Sequence, residues 1–399
     1  MKIRSIALAC LVILAALQTS LGQDFTGTLV SGFGFYPASS ELSSKPSSFD
    51  GKIEGGIGSP EAEVARYSID IRASFDPATQ ESTAELREAW VRVMAGAFDL
   101  SLGNQVVAWG ATDVFTPIDM VNSLDLSLPV DAQKIPEFMG RLVFNGPGLS
   151  VDMVALPFWT ASTLPAGRWQ TAMSLPAGIT NSVVTDSPAL TWDNLQYGAR
   201  LKASWDALQG IDLGFVFYRG RATLPRLSTV FTSPSTAITT KFYDPYYLAG
   251  LDGVIAFDGG LLLKGEAAYK VLNGADWLDP SAENAKAEAV GGWEYTIVGV
   301  KTTGEYVLDW TKGSSASGDT WAQSLVFIAS TSPDSRWSLK AVGVYNFDGS
   351  ALLSPQLCYT IADGLELEAR YFAFLGDSGS VYGKWTGNDL ADMALTLSF

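Results

Sequence analysis

The side chains that could do chemistry fall into two groups. The first is a series of charges on alternating positions: Arg66, Asp70 and Arg72; Glu88 and Arg92; Arg200 and Lys202; Glu366, Glu368 and Arg370. Charges of both signs on one face of an extended segment can pair with neighbouring strands, or can line a watery passage and bias the ions that cross it. The second is a stretch containing Asp113, Phe115, Asp119, Asn122 and Asp125. Its oxygens could ligate calcium, or could accept hydrogen bonds from nearby backbone N–H groups as Asp and Asn do at turns. The spacing does not fit the D-x-[DN]-x-[DN]-G calcium loop, so capping is the simpler expectation.

Composition removes much other chemistry. None of the 399 residues is histidine, which excludes Ser-His-Asp and Cys-His catalysis and His-ligated zinc or haem. A glycosidase built on carboxylates alone is the enzyme class left open; the expectation is a protein that is not an enzyme and carries no cofactor or metal. The net charge of −16 argues against nucleic acid as a partner, which needs a basic footprint.

Two cationic residues, Lys2 and Arg4, precede an apolar run over 6–17, and Ser20-Leu21-Gly22 offers small residues for cleavage. Residues 1–22 are therefore expected to be a signal peptide and 23–399 a single domain. Loss of Lys2 and Arg4 would take the charge from −16 to −18 and leave Cys358 as the sole cysteine.

The elements that must position the charges have a period of two. Ala65, Tyr67, Ile69, Ile71, Ala73 and Phe75 alternate with Arg66, Ser68, Asp70, Arg72 and Ser74, so one face of a strand is apolar and the other polar. The same pattern recurs around Arg200, around Glu368 and up to Phe399. Segments of about ten residues suit a tilted strand crossing the hydrocarbon layer. Aromatic residues gather at strand ends, as at Phe35-Tyr36, Trp192, Trp205, Trp293, Trp321 and Trp337. Short connections, at 95–96, 145–148, 207–210, 257–260, 302–304, 332–335 and 362–364, alternate with long ones at 108–136, 158–190, 222–244, 272–289, 311–319 and 376–389. That is the pattern of an up-and-down, all-β transmembrane barrel. Counting a glycine-rich strand over 49–58 gives about 18 antiparallel strands, with 16 as the alternative.

One stretch carries a more specific likeness. Gly103, Gln105, Val107, Trp109 and Gly110 form a G-x-Q-x-V-x-W-G run, followed by Asp119, Asn122 and Asp125 as D-x-x-N-x-x-D. This resembles a family of porin-like bacterial outer-membrane β-barrels of largely unassigned function. The chain departs from the family where Ser123 stands in place of a proline after the asparagine. The resemblance implies a porin-like barrel in the bacterial outer membrane and names no substrate.

The functional expectation is a channel for passive diffusion of small hydrophilic solutes. The charged positions above would line it, and the loop holding Asp113, Phe115, Asp119, Asn122 and Asp125 would constrict it if its apolar residues find burial inside. A transporter of hydrophobic compounds and a surface adhesin are the alternatives. The expected partners are outer-membrane lipid, small solutes, and the barrel-assembly machinery, the last through a terminal strand ending on Phe399.

Overall fold

The computed structural model describes residues 24–59, 62–170, 178–272, 285–313 and 318–399; the expected signal peptide lies outside the described residues. The wall consists of β1 (Asp24–Tyr36), β2 (Ser47–Ser59), β3 (Ala62–Asp76), β4 (Glu81–Ala95), β5 (Phe98–Gln105), β6 (Glu137–Gly146), β7 (Leu149–Leu156), β8 (Gln196–Trp205) and β9 (Ile211–Arg221). It continues through β10 (Pro245–Ala256), β11 (Leu262–Leu272), β12 (Ala285–Ile297), β13 (Val300–Thr311), β14 (Thr320–Thr331), β15 (Trp337–Asn346), β16 (Ala351–Ala362), β17 (Leu365–Leu375) and β18 (Leu390–Ser398).

Each strand pairs antiparallel with the next, and β18 returns to β1 with Thr28 opposite Ser398 and Phe35 opposite Ala391. The 18 strands thus close into a barrel, which leaves no sheet edge to satisfy in lipid. Closure extends one residue beyond β18. The Gly27 N–H donates to the Phe399 carbonyl at 2.8 Å and the Phe399 N–H to the Gly27 carbonyl at 2.9 Å. The Phe399 ring lies 6.2 Å from that of Phe25 and 6.5 Å from that of Phe49.

Among the described residues, the short turns at 96–97, 147–148, 206–210, 257–261, 298–299, 332–336 and 363–364 share one rim with the start of β1 and the end of β18, and the other rim carries the long connections together with two short turns, at 77–80 and 347–350. Short turns mark the periplasmic side of such barrels and long loops the outer side. One turn lies elsewhere than expected. The β12–β13 turn is at Val298-Gly299, whose φ angles of 49° and 78° are the paired positive values that a two-residue hairpin needs. Residues 302–304 belong to β13, where Thr303 pairs with Glu294. Gly304 is small because the Trp293 ring covers it: a Cβ there would stand 2.7 Å from Trp293 Nε1.

The apolar faces point outward. Ile71, Leu102 and Leu251 are 46%, 57% and 58% exposed, an energetically poor arrangement in water and the right one against lipid. Trp310 with Trp321, and Trp337 with Tyr359, pair near opposite rims. Two of the expected girdle aromatics do other work. Tyr36 turns inward and is buried, and Trp192 stands almost bare in an outer loop. Above the outer rim, Thr180–Asp186, Arg226–Ser233 and Thr236–Phe242 form a small three-stranded sheet from two long loops.

Candidate functional site

The inner wall is a lattice of opposite charges. Arg72 donates to both oxygens of Asp50 on the neighbouring strand, at 2.6 and 3.2 Å, and Arg141 grips Asp152 at 2.9 and 2.8 Å. Arg200 on β8 reaches across β9 to Asp252 on β10, at 3.1 and 2.5 Å. It can do so because the intervening residue is Gly214, where a Cβ would stand 2.1 Å from Asp252 Oδ2. Lys202 pairs with Asp212 at 2.8 Å. Arg370 meets Asp131, Asp392 and Glu368 at 2.9, 3.4 and 3.8 Å. Glu366 is exposed near the short-turn rim.

The β3–β4 wall is different. Arg66 lies directly opposite Arg92, a like-charge juxtaposition that ordinarily destabilises a sheet, and Arg92 rests 5.0 Å over the Trp90 ring. A bulge between Ile69 and Ile71 sets both Arg87 and Glu88 opposite Asp70. Simple alternation placed Glu88 inside; it missed Arg87 because the bulge adds one residue and resets the parity.

The long connection 106–136 folds into the barrel. The G-x-Q-x-V-x-W-G run starts the inward path. Gly103 has φ 133°, and a Cβ would stand 2.1 Å from the Ala89 carbonyl oxygen, so no other residue fits. Gln105 accepts from the Ser101 hydroxyl at 2.8 Å and donates to the Met139 carbonyl at 3.1 Å. Asn122 accepts from the Val107 N–H at 2.8 Å and donates to the Gln105 and Ile135 carbonyls, each at 3.0 Å. Asp119 accepts from the Trp109 N–H at 3.0 Å and from Lys134 at 2.5 Å. Burial pushes the Lys134 ammonium below the usual lysine range, with the Asp119 carboxylate opposing that shift. Asp125 accepts from the Ser127 N–H at 3.0 Å. Asp119, Asn122 and Asp125 are thus internal struts that fold the loop on itself. Ser123 has a partner a proline would lack: its N–H and hydroxyl donate to Glu137 Oε1 at 2.7 and 2.8 Å.

The far end of the loop is clasped by the opposite wall. Glu266 Oε1 on β11 accepts from the Ala111 and Thr112 N–H groups at 2.5 and 2.8 Å and from the Thr112 hydroxyl at 2.7 Å. Glu305 on β13 accepts from the Asp113 N–H at 2.6 Å, and the Asp113 carboxylate accepts from Lys264 at 2.9 Å. These wall carboxylates carry no sequence signal, because their partners lie more than 150 residues away in the chain.

Apolar packing completes the insertion. Ile118 and Val121 are buried against Val154, Val216, Tyr218 and Leu248 of the inner wall. Phe115, Leu128 and Val130 cover a second patch that includes Val326, Val344, Leu352 and Phe374, a row in register across β14–β17. Trp109 donates from its indole to Asp152 at 2.9 Å. Of the expected loop residues, Asp113 and Phe115 touch the far wall, while Asp119, Asn122 and Asp125 brace the loop from within.

This architecture is that of known outer-membrane porins. The chain is similar to the outer membrane protein opdK from Pseudomonas aeruginosa, with a TM-score of 0.60 at 10% identity, over 95% of this chain and 99% of that one. It is similar also to OccAB3 of Acinetobacter baumannii, with a TM-score of 0.57 at 10% identity, over 94% of this chain and 99% of that one. OccK11 (OpdR) of Pseudomonas aeruginosa gives 0.55 at 10% identity, over 95% and 96%. At such identity the likeness is one of fold: a porin-like outer-membrane β-barrel. No curated protein matches the sequence. A family profile does match, over residues 15–304, and by it the chain belongs to the family described as protein of unknown function (DUF1302).

Proposed function

We propose that the protein is a passive channel for small hydrophilic solutes, narrowed by the inserted loop 106–136. The observation that carries this reading is the polar wall that the seated loop leaves in contact with water. The loop is bonded to β4, β6, β7, β11, β13 and β17 and packs on β9, β10 and β14–β17. Polar side chains on the inner faces of β3, β4, β15 and β17 keep access to water, with Arg66, Lys340 and Glu366 exposed and Arg92 and Glu368 half-buried. A solute passing there meets guanidinium, ammonium and carboxylate groups, which suits a hydrated cargo better than an apolar one. The mixed signs support modest ion selectivity.

The row Val326, Val344, Leu352 and Phe374 favours a second reading, transport of hydrophobic compounds, but loop side chains cover it in this state. Both readings need no catalytic group. Single-channel conductance in planar bilayers, with reversal potential in a salt gradient and liposome swelling with sugars of graded size, tests the proposal. Discrete steps and sugar entry support it. A folded barrel that never conducts would overturn it in favour of apolar cargo or surface binding.

A further inference from the structure

A second outer connection, the stretch 157–170 after β7, runs over the inserted loop to the far side of the barrel. At its near end the Trp159 ring lies 4.4 Å from that of Tyr243, and its indole donates to the Ala222 carbonyl at 3.3 Å. In the middle it lies on the inserted loop. The Thr163 N–H donates to the Leu124 carbonyl at 2.9 Å, and the Leu126 N–H to the Thr163 carbonyl at 3.0 Å. Its far end reaches β1 and β17, about a third and nearly half of the circumference from β7.

The anchorage at that end is dense. The Trp169 ring is 6% exposed and lies 5.5 Å from Phe374, 5.9 Å from Trp385 and 6.4 Å from Tyr36. Beside it, the Arg168 guanidinium carbon stands 3.6 Å over the Tyr36 ring, and the same group pairs with the Glu41 carboxylate. Two backbone carbonyls are held as well: Trp385 Nε1 donates to Trp169 O at 3.3 Å and Asn388 Nδ2 to Arg168 O at 2.8 Å. A loop tip with no task would stay in water. This one buries a tryptophan across the opening from its own root, where aromatic and cation–π contacts can hold it in one place.

We infer that 157–170 is a strap across the outer mouth, latched by Arg168 and Trp169 to β1 and β17, and that it sets the largest solute able to enter from outside. The inference rests on the channel reading above and goes beyond it. The inserted loop narrows the interior, whereas the strap acts at the entrance.

The test uses the full-length barrel in proteoliposomes and bilayers, with Trp169→Ala, Trp169→Phe and Glu41→Gln variants. Two readouts are taken: the rate of trypsin cleavage after Arg168, and the largest polyethylene glycol that enters the pore from the outer side. Heat-modifiable mobility on gels confirms folding. Release of the latch in Trp169→Ala should speed cleavage by about tenfold or more, as expected when a docked segment gains access to local opening, and should raise the polymer limit. Trp169→Phe, which keeps a ring, should restore most of both. Glu41→Gln should move both in the same direction as Trp169→Ala, by less, and decides the matter if Trp169→Ala does not fold. Cleavage that accelerates with an unchanged polymer limit overturns the inference, as does no change in either. A wild-type protein that does not conduct refutes the channel reading instead, a result visible before any variant is made.

Discussion

The fit of Ile118 into the wall gives the sharpest test of how the inserted loop is held. A methyl group built on Gly250 would stand 2.5 Å from Ile118 Cγ2 and 3.1 Å from the Ala267 carbonyl oxygen, whereas carbon atoms at rest sit about 3.5–4.0 Å apart. Ile118 has nowhere to retreat, because it is fully buried among Val107, Trp109 and Val121. Gly250→Ala should therefore weaken docking by about 1–3 kcal/mol, the usual cost of overpacking. Ile118→Ala removes three carbons from a buried site, at about 2 kcal/mol or somewhat more.

The two changes should not add. With alanine at 118, the Cγ2 clash is gone: the new methyl meets the Cβ at 3.5 Å, an ordinary contact that refills part of the space, and keeps only the tight approach to the Ala267 carbonyl oxygen at 3.1 Å. The double variant should thus cost about 1–2 kcal/mol less than the sum of the single ones. The assay is single-channel recording, reading the ratio of time in an enlarged, noisy substate to time in the resting state; each 1.4 kcal/mol is about tenfold in that ratio. Deletion of 112–130 supplies the upper limit of conductance. If Gly250→Ala conducts as quietly as the wild type, or if the effects simply add, the loop is not seated through this notch.

Two further outcomes follow from the wall. Asp252→Ala strands a guanidinium whose partner is 4% exposed, so it should lower the urea midpoint in detergent by the equivalent of about 2 kcal/mol. The Asp252→Ala, Arg200→Ala double variant should recover much of that loss, because breaking half a sheltered pair costs more than removing it whole. Gly103→Ala should abolish the heat-modifiable folded band, since the new Cβ would meet backbone at 2.1 Å rather than a movable side chain.

How much of this was legible in the chain depends on how local each feature is. Alternation exposed the strands because the lipid face and the lumen face differ at every second residue, so Arg66, Arg72, Arg200 and Arg370 could be placed inward by parity alone. The same rule reached its limit at Asp70, where one inserted residue brings Arg87 inside. It also misread Gly304, whose small size answers to a tryptophan on the next strand rather than to a turn. Strand β2 was hard to see for a related reason: Gly55, Gly56 and Gly58 carry no side chains that could alternate.

The loop shows the deeper limit. Its apolar residues said that something must bury them, and its Asp and Asn residues said that backbone N–H groups would be capped, both local statements. Where the burial occurs depends on Glu266, Glu305 and Gly250, whose own surroundings in sequence read as unremarkable wall. The motif from Gly103 to Asp125 therefore has a meaning that neither a metal site nor a catalytic site would give it. Gly103 lets the strand leave the wall, Gln105 and Asn122 tie the inward path to its return, and Asp119 holds Trp109 and Lys134 together. These residues shape an obstruction, and none of them needs to touch a solute to do so. On the channel reading proposed above, selectivity belongs to other positions, the water-accessible charges of β3, β4 and β17, and a change at Asn122 should alter how much passes, whereas a change at Arg92 should alter what passes.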